Sequence, residues 1–214
     1  MLRDHWPIFG LTISPQPGLE LRLPLEEEIA ELAAVAGRGV HRPGERPFLT
    51  PWTEGSADER AKYVLQGHWE RLAEWTTDDW RLGLGVFEQG RPLGVVNLRA
   101  TDFRVVREVS TSSWLGLEHQ GRGLGTAART GVLALAFDHL GAESARTEVF
   151  PDNHASQGVS RRIGYEPDGI SRDARDGQVL VSDRLRLTRE RWQGRPRPAV
   201  EVSGLDACRS MFGL

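Results

Sequence analysis

Three glycines at alternate positions, Gly121, Gly123 and Gly125, separate a β-prone stretch from a long apolar run. Before them, Trp114, Leu115 and Leu117 are large and apolar, as at the end of a strand. After them, Ala127, Ala128, Val132, Leu133, Leu135, Ala136, Phe137 and Leu140 have the spacing of a buried helix. A glycine turn between strand and helix presents unobstructed backbone N–H groups at the positive end of a helix dipole. The chemistry it supports is phosphate or pyrophosphate binding. The turn lacks the Lys-Ser/Thr ending of a nucleotide P-loop, and no acidic residue closes a second strand about 20 residues on, as dinucleotide binding favours. A second polar stretch follows, Pro151-Asp152-Asn153-His154-Ala155-Ser156, and then Val159-Ser160-Arg161-Arg162-Ile163-Gly164-Tyr165.

Taken together, the two stretches resemble one family. Gln120-Gly121-Arg122-Gly123-Leu124-Gly125 is similar to the Gln-x-x-Gly-x-Gly pyrophosphate loop of the GNAT superfamily of acyl-CoA-dependent N-acyltransferases. Asn153…Ser156 with Gly164-Tyr165 resembles the Asn-x-x-Ser helix, ending in Gly-Phe/Tyr, of the RimJ/RimL-like branch. Trp114-Leu115-Gly116, Asp152-Asn153, Val159-Ser160-Arg161 and Cys208-Arg209…Phe212-Gly213 resemble most an actinobacterial subgroup, of which a mycobacterial member is described as a succinyltransferase.

The elements needed to hold these stretches in place can be read in order. Leu19, Leu21 and Leu23 alternate with Glu20 and Arg22, as in a half-buried strand, after a turn-rich start in which Phe9, Leu11 and Ile13 alternate. Leu25, Ile29, Leu32, Ala33 and Ala36 share one helical face. Residues 40–53 read as a long loop. Ser56-Ala57-Asp58-Glu59 is a capping box that opens a second helix, with His68 and Trp69 on its apolar side. Strands are expected at 82–88, 93–100 and 107–117, then the glycine loop, a helix to Leu140, a strand near 144–150, a helix near 155–162 and a last strand over 179–187. The order β-α-α-β-β-β-α-β-α-β-β matches an α/β (α+β mixed sheet) GNAT fold. The resemblance implies a central, mostly antiparallel sheet splayed at the CoA site and flanked by helices. One domain over residues 1–190 is expected, with 191–214 as a tail packing on it or on a partner subunit.

Composition narrows the class. At 214 residues and net charge −3 the chain suits a single full core and offers no polyanion-binding surface, so no nucleic-acid partner is expected. Lys62 is the only lysine, arginine replacing it elsewhere, as in a GC-rich genome. The lone Cys208 excludes an internal disulfide and gives no metal-ligand spacing. Nothing has the length of a membrane span or the form of a signal sequence, so a soluble, cytoplasmic protein is expected.

The resemblance implies direct attack of an amine on a thioester, without an acyl-enzyme. The co-substrate would be acetyl-CoA or succinyl-CoA and the acceptor a protein N-terminus, a lysine or a small-molecule amine. Leu115 and Leu117 would offer backbone contacts to the pantetheine, Gln120 to Thr126 would hold the pyrophosphate, and Asn153 and Ser156 would flank the arm and the sulfur. Many relatives carry a tyrosine one turn after Ser156; here Ser160 stands there, leaving Ser156 as the acid or positioning candidate. Relatives place a basic glutamate where Ser110 falls, so Glu108, two residues earlier and on the same strand face, is the candidate base. Arg99, Arg104, Arg107, His41 and Arg42 are candidates to meet a succinyl carboxylate, and Trp52, Trp69 and Trp75 to line the acceptor mouth or fill the core. A resistance-type amino-sugar acetyltransferase and a non-catalytic CoA sensor are the competing readings. A homodimer or higher homo-oligomer is expected from the fold.

Overall fold

Alternating burial in two short segments makes the first hairpin. The computed structural model describes residues 2–214, and in it a short helix α1 (Leu2–His5) and a 3₁₀ turn precede β1 (Thr12–Gln16) and β2 (Leu19–Arg22). The start of the chain, expected to be turns, thus contributes a strand: Leu11 and Ile13 are fully buried. Helices α2 (Glu26–Arg38) and α3 (Ala57–Ala73) follow, packed on each other. The α3 capping box is formed, Ser56 Oγ accepting from Glu59 N–H at 3.2 Å and Glu59 Oε2 accepting from Ser56 N–H at 2.7 Å.

The centre is a meander of β3 (Asp79–Glu88), β4 (Arg91–Thr101) and, after the single turn α4 (Phe103–Val106), β5 (Glu108–Leu115). Then come α5 (Leu124–Ala134), continued by a π-helical turn at Leu135–Leu140, β6 (Ser144–Val149) and α6 (His154–Ile163). A final hairpin of β7 (Glu166–Arg175) and β8 (Gln178–Thr188) precedes α7 (Arg189–Gln193), β9 (Glu201–Ser203) and α8 (Leu205–Cys208). The single strand expected at 179–187 is therefore one arm of a hairpin that turns at Asp176 and Gly177, both at positive φ.

The nine strands among the described residues form one mixed sheet, ordered β7-β8-β6-β5-β4-β3-β2-β1-β9. The β5–β6 contact is parallel and short: Glu108, Val109 and Ser110 face Ser144, Ala145 and Arg146, and pairing stops there. Beyond it β5 stays on β4 as far as Leu115, while β6 stays on β8 as far as Val149. The two middle strands part like the arms of a V. On one face α5 buries Leu124, Ala128, Val132 and Leu133 against the sheet; on the other α2 and α3 cover Val95 and Trp114.

The C-terminal segment belongs to the core. β9 pairs with β1, Leu205, Cys208 and Phe212 are buried, and the Trp75 indole N–H donates to Met211 O at 2.9 Å. Burial pushes the Cys208 thiol up to about 11, which suits an inert packing residue. No helix among the described residues is long and apolar enough to cross a membrane.

Phe212 meets Trp80 edge-on at 5.0 Å and Trp75 at 5.6 Å between ring centroids. Phe212→Ala should lower the unfolding free energy by about 3–5 kcal/mol, read as a shift of the urea midpoint at unchanged slope.

Candidate active site

The parting of β5 and β6 opens a cavity of about 410 Å³, floored by Thr111 to Leu115 and Thr147 to Val149 and roofed by the starts of α5 and α6. The glycine loop forms one wall. Gly121 and Gly123 have φ of +76° and +81°, and a β-carbon at either would meet nothing within 4 Å. Backbone angle, not crowding, demands glycine there. Gly123 is the residue before α5, and no side chain caps that helix. The N–H groups of Leu124, Gly125 and Thr126 therefore have no intrahelical acceptor and point outward from the positive end of an 11-residue helix. Beside them the Thr126 hydroxyl is buried without a partner.

Gln120 acts as a clamp: its amide donates to Val40 O at 2.7 Å and to Leu115 O at 2.9 Å. This ties the glycine loop to the loop after α2 and to the end of β5. Arg122 faces away, held by Glu88 through contacts of 2.7 and 2.9 Å, and does not line the cavity. Leu117 is also outside it. After Leu115 the chain leaves the sheet, and the Leu117 N–H is taken by Gly39 O at 2.9 Å.

Across the cavity, Asn153 Oδ1 accepts the Ser156 N–H at 3.1 Å and caps α6. The Ser156 hydroxyl lines the cavity and has no partner among the described residues. Glu108 lies elsewhere. It starts β5, four residues or roughly 13 Å of extended strand from Ser112, and its carboxylate accepts from Ser144 Oγ at 2.7 Å and pairs with Arg186 of β8. A carboxylate so placed and so bonded is a sheet clamp and not a base at the cavity. Of the residues considered for a succinyl carboxylate, only His41 lines the space. Arg99 is bonded to Ser110 Oγ at 2.7 Å, Arg107 to Leu140 O at 3.3 Å, and Arg104 pairs with Asp78 at 3.7 Å.

Sequence reasoning missed Arg129. It lies on α5 with 3% exposure and lines the cavity, its Nη1 donating to Ser160 Oγ at 3.1 Å and its Nη2 to Ser113 Oγ at 3.3 Å. Its Nε is buried without a partner, and no described carboxylate pairs with it. Burial lowers its pKa from the ordinary arginine value, yet a guanidinium stays charged. Ser160 is fully buried and accepts from this cation. The signal was present in the sequence: residue 129 sits three, four and seven positions before Val132, Leu133 and Ala136, where the helical period calls for an apolar side chain. Tyr165, bonded to Thr111 Oγ1 at 3.2 Å, is also buried, and burial pushes its phenol up. Among the described residues no group of His, Cys, Asp and Glu could hold a metal ion.

Residues 19–166 match the family model described as an acetyltransferase (GNAT) domain. The Bacillus subtilis protein titled "Putative ribosomal N-acetyltransferase YdaF" is 26% identical over 164 residues, covering 64% of this chain and 88% of that protein. The fold is shared with Mycobacterium smegmatis RimJ, solved in complex with CoA-disulfide, at TM-score 0.68 and 17% identity over 94% of this chain and 92% of that one. RimL, the ribosomal L7/L12 α-N-protein acetyltransferase, gives TM-score 0.62 and 16% identity over 83% of this chain and 93% of its own.

Gly123→Ala puts a β-carbon at φ +81° and should cost about 1–2 kcal/mol of stability although the space around it is open. Thermal unfolding of the single variant checks this.

Proposed function

This chain belongs to the acetyltransferase (GNAT) domain family, and we propose that it moves an acetyl or succinyl group from CoA to a primary amine by direct attack. The observation that carries the donor half is the uncapped first turn of α5 with the orphaned Thr126 hydroxyl beside it. A pyrophosphate supplies the acceptors those N–H groups lack. The pantetheine arm then lies in the gap between β5 and β6, where backbone groups left by the parted strands can bond its amides. Asn153 holds the α6 terminus, and Ser156 positions the thioester end.

The amine nitrogen bonds to the acyl carbon, the carbon–sulfur bond breaks, and its electron pair leaves on sulfur. The nitrogen's proton passes to water, and the thiolate is protonated from solvent on release. In this reading Arg129, a buried cation without a counter-ion, faces the charge that grows on the sulfur. With Glu108 committed to Arg186, a weakly basic acceptor is favoured. An α-amine of pKa about 7.7–8.0 is on the order of 10% neutral at pH 7, whereas a lysine near 10.4 is well below ~0.1%. YdaF and RimL are named for ribosomal N-acetylation and α-N-protein acetylation, which supports a protein N-terminus as the acceptor.

Two measurements test the donor half. Calorimetric titration should show acetyl-CoA binding, and Thr126→Val should weaken it about tenfold or more, the loss of one hydrogen bond to a charged group. No binding of any CoA species overturns the proposal. Succinyl-CoA binding better by about 1.4 kcal/mol, a tenfold ratio, would assign the Arg129 charge to a donor carboxylate. If it serves the thiolate, the thiol of bound CoA should titrate well below a free thiol's pKa of about 8.5, followed by its ultraviolet absorbance. Arg129→Gln should return that titration toward the free value and Arg129→Lys should preserve the shift.

A further inference from the structure

On the opposite face of β5 lies a second, smaller cavity of about 150 Å³. It shares Ser112, Ser113 and Trp114 with the larger one, so the two spaces meet at the strand where the thioester and the amine must meet. Aromatic rings wall it: Trp52 is stacked on Tyr63 at 5.2 Å and tilted against Trp114 at 5.7 Å. Its one cationic lining residue is Arg71 of α3.

Arg71 has no hydrogen bond and no ion pair among the described residues, and its Nε is buried without an acceptor. The seat is built for it. A β-carbon at Gly83 of β3 would collide with Nε, and one at Gly67 of α3 would come within 3.2 Å of Nη1. Two side-chain-free positions on two different elements leave room for this guanidinium. Burial lowers its pKa from the ordinary arginine value without discharging it. Glu70 and Tyr63 favour its charged form only through space, without an ion pair or hydrogen bond, and burial and Arg71 itself push His68 down to about 4, so that imidazole is neutral at pH 7. The sheet face beneath adds a further cation. Arg99 stands directly across from Arg81 in the β3–β4 register, a like-charge pair that costs stability. Arg81 is relieved by Glu74 at 3.3 Å, but among the described residues Arg99 has only the Ser110 hydroxyl. Cross-strand partners share a face, so Arg99, Gly83, Asn97, Ser110 and Ser112 all lie on the side where Arg71 sits.

A stranded guanidinium beside an aromatic-walled cavity is completed by a planar anion that accepts in a fork, which is the geometry of a carboxylate. We infer that the acceptor carries a carboxylate close to its amine, and that Arg71 binds it while the amine reaches the thioester past Ser112. This rests on the acyl-transfer reading above and adds the acceptor's chemical class. The carboxylate belongs either to a free amino acid or to an acidic side chain next to a peptide's N-terminus.

The experiment follows thiol release from acetyl-CoA by the full-length enzyme, in two arms. One compares free alanine and glutamate with their amides. The other compares N-terminal tripeptide amides that differ only in Glu, Gln or Lys at the second position. In one arm the carboxylate-bearing member should show at least about a tenfold higher kcat/KM, carried by KM. Arg71→Gln should erase that preference while leaving the calorimetric affinity for acetyl-CoA unchanged, and Arg71→Lys should restore part of it. Arg99→Gln, on an exposed side chain, should shrink the preference without threatening the fold. Equal kcat/KM across both arms, a preference that survives Arg71→Gln, or acetyl-CoA binding with no transfer to any probe each overturns the inference. A wild-type enzyme that binds no acetyl-CoA instead overturns the acyl-transfer reading on which it rests.

Discussion

The constraint on which the site depends is the three-residue length of the β5–β6 ladder. A parallel pair that stops at Ser110 and Arg146 leaves the next backbone groups of both strands without their usual partners. One is repaired internally, the Thr147 hydroxyl donating to Thr111 O at 3.1 Å. The others face the cavity. Continuing the ladder would close the cavity; ending it sooner would uncouple the two halves of the sheet. Glu108, Ser144 and Arg186 fasten the ladder at its first rung, Glu108 opposite Ser144, with Ser144 Oγ accepting from Arg186 at 3.2 Å. The residue that looked like a base is thus part of what holds the V at its apex.

Two guanidiniums, the buried Arg129 and the half-buried Arg71, one on each face of β5, share a second property. Each is desolvated, and neither has a carboxylate partner. Desolvating a charge without pairing it is among the costlier arrangements in a protein interior. The chain accepts that cost twice around one strand, whereas arginines elsewhere such as Arg22 and Arg197 find carboxylates, Glu28 at 2.6 Å and Asp138 at 3.1 Å. Charge left uncompensated beside a cavity is a sign of what the cavity receives.

What could be read from the sequence was local. The glycine turn and the α3 capping box each depend on residues within a few positions of one another, and each formed as its spacing indicated. The sheet of alternating strands flanked by helices was legible for the same reason. What escaped depends on long-range partners. Glu108 reads as an available carboxylate until Arg186, 78 residues on, claims it. Leu117 reads as the last strand residue until Gly39 takes its N–H. β1 looked like a turn because Pro7, Pro15 and Pro17 crowd a segment whose strand character comes from its neighbours β2 and β9. What residues 191–214 pack on was not legible, because the ring partners of Phe212, Trp75 and Trp80, lie far upstream.

That last contact bears on how the protein is made. β1 is paired on its outer edge by the much later β9, and the aromatic cluster around Trp80 is closed by the far-downstream Phe212. Chains emerge from the ribosome N-terminal end first, and units that close late leave apolar surface uncovered in the meantime. Here the vectorial order of synthesis and the order of closure are opposed. The nascent chain must carry an exposed edge strand and an open aromatic nest until those later residues emerge.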